Sequence, residues 1–190
     1  GINNLPLMLI SLCQELIERG CKPFIIPAMG SHGGATATGQ LKVLESLGVT
    51  EEAIGVPIYS SMEVINLGKS VNGFNVYYDK YAYEADFTIV LNRIKPHTGF
   101  IGDIESGLCK MIAIGLGKQL GAESCHSTNI ANFSNVIKEI ASFAIMKGNI
   151  SFGIGIIEDA YDETSKIMAI PSNNIICQEK ILLNESKAQY

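Results

Sequence analysis

Phe87-Thr-Ile-Val-Leu-Asn92 is a near-continuous run of β-branched and apolar residues that empties into Lys95-Pro-His-Thr-Gly-Phe100. A strand with one wet face alternates apolar and polar side chains, whereas one without alternation is covered on both faces, as in a parallel sheet between helices. Upstream, Pro23-Phe-Ile-Ile-Pro27 is a second short apolar run, and it delivers the chain into Met29-Gly-Ser-His-Gly-Gly34. Before it, Leu9, Leu12, Cys13, Leu16 and Ile17 have the spacing of one helical face, so Leu5 to Arg19 reads as a helix with Pro6 in its first turn and Gly20 as its stop. After it, Thr36 or Thr38 can cap a helix running to Leu47 and ended by Gly48. Strand, glycine-rich turn and helix together form the unit that aims backbone N–H groups at an anion.

Downstream, Glu105 to Gly117 reads as a helix, and a second runs from about Asn129 to Met146 on an apolar face of Phe133, Val136, Ile137, Ile140, Ala141 and Ala144. Ile150 to Ile157 and Lys166 to Ile170 read as a strand pair joined by the acidic turn Glu158 to Glu163. Between Glu63 and Asp79, two short strands flank Asn72-Gly73, a strong signal for a tight hairpin. The expectation is an α/β fold, Rossmann-like, with a partly parallel (mixed) sheet flanked by helices and a small antiparallel hairpin insertion. In such sheets ligands lie beyond the carboxyl ends of the strands, where both histidine-bearing loops leave.

With 190 residues and 47% apolar content, the chain can bury one sizeable core. Residues 1–177 are read as one amino-terminal α/β domain, and the polar stretch 178–190 as the start of a linker to a carboxyl-terminal domain. No apolar run approaches the roughly 20 residues that span a bilayer, and no secretory leader is visible, so a cytoplasmic protein is expected. The five cysteines are scattered without a Cys-x-x-Cys pair, which argues against a disulfide framework and a zinc knuckle. A net charge of -5 without a basic run disfavours nucleic acid and leaves a small molecule as the expected ligand.

The three histidines are His32 between glycines, His97 after a proline at a strand end, and His126 past a helix. An imidazole in a glycine-bounded loop can reach a ligand and change charge near neutral pH, although a loop histidine can also merely cap a turn. Lys110 is the only charged residue between Ser106 and Gly117. A desolvated ammonium shifts toward the neutral amine, a nucleophile, whereas a snorkelling lysine keeps its head in water. The loop Gly30, His32, Gly33, Gly34 could cradle a phosphate but lacks a full dinucleotide or P-loop fingerprint. Asp103 and Glu105 could orient an imidazole or serve as helix-terminal charges. The acidic turn reads as solvated, and Cys109 and Cys125 as buried inert thiols.

Pro27-Ala-Met-Gly-Ser-His-Gly-Gly-Ala-Thr36, Lys95-Pro-His-Thr-Gly-Phe100 and the glycine-bounded lysine of Glu105 to Gln119 together resemble the amino-terminal domain of the nickel-dependent lactate racemase family. In order, His97 precedes Lys110 by thirteen residues and Lys110 precedes His126 by sixteen. The resemblance implies an isomerase that racemises or epimerises a 2-hydroxy acid by hydride abstraction and return through a nickel pincer nucleotide. It implies that Lys110 carries that cofactor, that His126 ligates the nickel and that His97 is acid/base on the substrate hydroxyl. By the same resemblance, Gly30, His32, Gly33 and Gly34 form a cofactor-binding loop with His32 near phosphate. Cofactor-biosynthesis proteins and the carboxyl-terminal domain are then partners, and this fragment alone should be inactive and without cofactor when made recombinantly. The family's second catalytic histidine is expected between the first glycine-rich loop and the Pro-His loop. Gly33 to Pro96 contains none, and Tyr59 or Ser60 lies about where it would fall. Competing readings are a non-catalytic nucleotide- or metal-binding domain of the same fold and an α/β enzyme using Lys110 as a Schiff-base nucleophile.

Overall fold

A computed structural model of the chain describes residues 1–127 and 132–189. Its first helix, α1 (Leu5–Glu18), carries Pro6 in its opening turn, where the missing N–H has no intrahelical partner to lose. Thr36, rather than Thr38, caps α2 (Ala37–Ser46) by accepting the Gly39 N–H at 3.0 Å. After the short α3 (Glu51–Ile54), β1 (Val64–Lys69) and β2 (Asn75–Asp79) form the expected antiparallel hairpin, followed by α4 (Lys80–Glu84).

The main sheet has the order β3-β4-β5. β3 (Thr88–Arg93) runs parallel to β4 (Ile150–Glu158), which pairs antiparallel with β5 (Thr164–Pro171). A parallel neighbour requires a long crossover. Here the crossover supplies α5 (Leu108–Lys110), a wide π-turn over Met111–Gly115, α6 (Lys118–His126) and α7 (Phe133–Lys147). Ile112, Val136, Ile137, Ile140 and Ala141 from this crossover are buried in one core with Val90, Ile157 and Ile170 of the sheet. A smaller cluster under α1, α2 and α3 gathers Leu5, Cys13, Leu44, Val49, Ile54 and Val56.

The chain is therefore a mixed α/β layer fold with a small antiparallel hairpin. Three local expectations are corrected. Pro23 to Pro27 contributes one parallel bridge, Ile25 to Ile58, because prolines at both ends remove the donors that would extend a ladder. Lys118 to His126, expected as a connection, is helical, so His126 sits in the last turn of a helix and not beyond one. The stretch from Gln178 lies within α8 (Ile175–Lys187), which buries Leu182 and Leu183 in the main core, so the boundary expected at 177 falls inside a packed helix. The expected start of the second crossover helix, near Asn129, lies outside the described residues.

Candidate functional site

β3 sets the first half of the site. Beyond its last residue, the Lys95 N–H donates to the Ser106 carbonyl at 2.8 Å and the Ser106 N–H returns to Lys95 at 3.3 Å. This bridge pinches the intervening segment into a loop and starts α5 beside the strand end. Asn92 reinforces the pinch by donating Nδ2–H to the Gly107 carbonyl at 2.8 Å. Glu105, 1% exposed, folds the loop from inside by accepting the N–H groups of His97 at 2.7 Å and Gly102 at 3.1 Å. It therefore holds the backbone of His97, not the imidazole. The ring's Nδ1 instead accepts the Gly99 N–H at 2.9 Å.

The second half is the loop after Ile25. Gly30, Gly33 and Gly34 all take positive φ, at 63°, 67° and 67°, a region that side-chain-bearing residues rarely adopt. Gln40 of α2 donates to the carbonyls of Gly30 (2.8 Å) and His32 (3.3 Å). Lys118 is buried at the start of α6, and its ammonium bonds the Pro27 carbonyl and pairs with Asp79 Oδ2 at 3.0 Å. Gly115 lets this loop approach α5 closely, since a β-carbon there would run into the Ala28 backbone. The π-turn widens the helix at the same place, with the Leu116 N–H reaching back five residues to Met111.

These elements enclose a cavity of about 260 Å³ whose wall contains His32, His97, Lys110 and His126. Met29, Ser31, Phe100, Ile114, Ala122 and Phe133 complete it. Three histidines and a lysine far apart in sequence are thus brought to one place. An aromatic row runs along the wall: His97 against Phe100 (centroids 4.3 Å apart), Phe100 edge-on to Phe133 (5.0 Å, 84°), and Phe133 stacked with His126 (4.9 Å, 23°).

Burial, reinforced by the Lys95 charge, lowers the Lys110 pKa from the ordinary lysine value. Burial also lowers that of His97, aided by the Lys110 and Lys95 charges and opposed by Glu105. At Glu105 burial raises the pKa, but the bonds from Lys187, His97 and Gly102 outweigh it and leave a net lowering. The site therefore favours a neutral imidazole and a more readily deprotonated amine above an ionised carboxylate.

Other candidate residues lie elsewhere. Gly30, Gly33 and Gly34 shape the first loop, while Met29, Ser31 and His32 present its side chains to the cavity. Asp103 pairs with Lys180 at 2.8 Å on the surface. Tyr59 packs against Phe24 and Tyr81, and Ser60 donates to the Ala37 carbonyl, so neither is on the cavity wall. The acidic turn is tied down by Arg93, which pairs with both Glu158 and Asp162. Cys109 and Cys125 are buried, and desolvation pushes the Cys125 thiol up to about 12 and Cys109 well above its usual value. Gly33 to Pro96 contains no histidine, and His32 lines the same cavity as His97. Sequence reasoning missed Phe100 and Phe133 as site residues, since nothing in their spacing marks them as neighbours. It also missed Lys118, whose glycine-flanked position resembles that of a surface lysine.

Among the described residues no helix is long and apolar enough to cross a membrane. The chain is similar in fold to the lactate racemase apoprotein from Thermoanaerobacterium thermosaccharolyticum, with a TM-score of 0.70 and 19% identity over 94% of this chain. It spans 44% of that protein's chain. No curated protein matches it in sequence. The family model described as the lactate racemase N-terminal domain matches residues 4–138, which include both loops, Lys110, His126 and Phe133, and the chain belongs to that family.

Proposed function

We propose that this domain is the cofactor- and substrate-binding part of a racemase or epimerase acting on a 2-hydroxy acid. The convergence of Lys110, His97, His126 and His32 on one cavity carries the reading. Among the described residues no group of three or more His, Cys, Asp or Glu is disposed to hold a metal ion. A nickel ion here therefore needs a carrier that brings most of its own donors, and a pincer nucleotide anchored through Lys110 meets that need with His126 as protein ligand. When bound, that group supplies a reversible two-electron acceptor for the hydrogen on the substrate's C2.

The chain's own residues do the rest. The lowered pKa of Lys110 makes its amine available for a covalent link. With Lys110 and His126 committed to the cofactor, His97 and His32 are the titratable side chains left on the described wall. His97 takes the substrate hydroxyl proton and returns it, and His32, lining the same cavity, serves as a second proton-handling group or as a phosphate contact. The aromatic row and Ile114 exclude water from the reacting face. The carboxyl-terminal domain closes the cleft, and cofactor-biosynthesis proteins load it.

Intact-mass measurement of the full-length protein, made in cells able to synthesise the cofactor, tests the reading. An adduct present in wild type and lost in Lys110→Ala is expected. No adduct and no nickel would make this a non-catalytic binding domain, and a borohydride-trapped carbonyl at Lys110 would make it a Schiff-base enzyme.

A further inference from the structure

α8 contributes nothing to the cavity wall, yet it grips both sides of the site. Glu179, fully buried, accepts the Cys109 N–H through Oε2 at 2.7 Å, one residue before Lys110. This satisfies one of the N–H groups that the first turn of a helix leaves without an intrahelical acceptor. Its other oxygen lies against Gly107, where a β-carbon would collide with it, so the contact requires glycine there. Two turns later on the same helix, Lys187 Nζ meets Glu105 Oε1 at 2.7 Å. Glu105 is the carboxylate that gathers the N–H groups of His97 and Gly102. Between these points, Lys180 pairs with Asp103 at 2.8 Å.

We propose that α8 is the positioning element of the site, with Glu179 holding the turn that bears Lys110 and Lys187, through Glu105, holding the loop that bears His97. One rigid helix spans about 12 Å between the two contacts. It thereby fixes where the amine stands relative to the imidazole. Lys187 supplies the positive partner that a buried carboxylate needs to stay ionised, and only the ionised form accepts from the loop on both oxygens. Glu179, Glu105 and Lys187 act through other groups and are positioning residues. The placement is independent of the reaction, while its consequence for turnover rests on the racemase reading above.

Hydrogen exchange of the chain, read by mass spectrometry over residues 97–112, tests the proposal alongside acetylation of Lys110 as a function of pH. Lys187→Met should speed exchange of the His97 and Gly102 amides at least tenfold, and Lys187→Arg should restore most of the protection. Glu179→Leu should speed exchange at Cys109 and move the Lys110 acetylation profile to higher pH as the loosened turn lets the amine reach water. Glu179→Gln retains an acceptor oxygen and should leave both close to wild type. Wild-type exchange at His97 and Gly102 in Lys187→Met would overturn the proposal, as would an unmoved Lys110 profile in Glu179→Leu. Should the leucine variant fail to fold, the partly exposed Lys187 pair decides alone. Neither readout involves cofactor or turnover, so a failure here leaves the racemase reading standing, and the reverse holds.

Discussion

The His126 imidazole lies stacked on the Phe133 ring, with centroids 4.9 Å and planes 23° apart. Phe133 opens α7 and is buried, so it fastens the end of α6 to the core while offering its face to a histidine of the site. Phe133→Ala should cost about 3–5 kcal/mol in urea unfolding, by loss of buried area and creation of a cavity. Phe133→Leu should recover most of that and lose mainly the ring pairing, about 0.5–1.5 kcal/mol. A loss below about 1 kcal/mol in the alanine variant would show that the ring is not packed.

Glu179 predicts an unusual pH dependence of stability. Burial raises its carboxyl from 4.5 to about 7, despite the bond from the Cys109 N–H. A folded-state pKa raised above the unfolded value gives stability that is complete below about 4.5 and lost as pH rises through about 7. Glu179→Gln removes that penalty, so it should stabilise the protein at pH 8 by up to about 3 kcal/mol and have little effect at pH 4.5. Thermal unfolding of both proteins at the two pH values checks this; an equal effect at both would refute the buried ionisation.

The Lys110 ammonium acts on His97. Removing it in Lys110→Met should move the His97 titration midpoint, followed by NMR, upward toward 6.5, because one of the charges lowering it is gone. The wild-type sign also fixes a stability trend. A depressed histidine pKa contributes stability that is present above 6.5 and lost as pH falls through the folded value. An unmoved midpoint would place the amine too far from the imidazole for the proposed chemistry. In the loaded full-length enzyme, His97→Ala should abolish turnover while keeping the Lys110 adduct, and retained turnover would remove its role.

Lys118 and Asp79 form a buried ion pair, and breaking either side alone strands a charge. Lys118→Met should therefore cost about 3–5 kcal/mol. It should also loosen the His32 loop, since the same ammonium bonds the Pro27 carbonyl and lies 3.5 Å from Gln40 Oε1. The double variant Lys118→Met/Asp79→Leu should regain much of the stability but not the loop order. Denaturation midpoints and exchange at residues 28–33 separate the two effects.

The sheet was legible where local pattern and tertiary environment agree. Thr88 to Asn92 lacks alternation because Val90 packs into the main core and Leu91 against the smaller cluster, and Gly73 supplies the positive φ that the hairpin turn uses. The order of His97, Lys110 and His126 was equally visible, because a lone charge in an apolar segment and a histidine beside a proline stand out without coordinates. α6 was hidden because Gly117 and Gly121 weaken helical propensity, while contact with the hairpin and α7 compensates for it. α8 looked like a linker because its buried face mixes Leu182 and Leu183 with Glu179 and Ser186, a pattern that hydropathy counts as polar. The placing of the His32 and His97 loops at one crevice was legible from both leaving strand ends, and residues of the two loops do share one cavity. The long-range contacts of Lys118, Gln40 and Asp79 that hold the His32 loop left no local signal.

The hydrogen bond from Gly99 to His97 Nδ1 also dictates which ring nitrogen carries the proton. An atom that accepts cannot at once donate, so the neutral ring bears its hydrogen on Nε2. In this tautomer the imidazole is armed as an acid. Before Nε2 can accept a proton, the backbone must release Nδ1 to take up the hydrogen. A two-residue turn thus makes Nε2 the donor atom of the resting ring, and any use of Nε2 as an acceptor must begin with a movement of the Gly99 peptide.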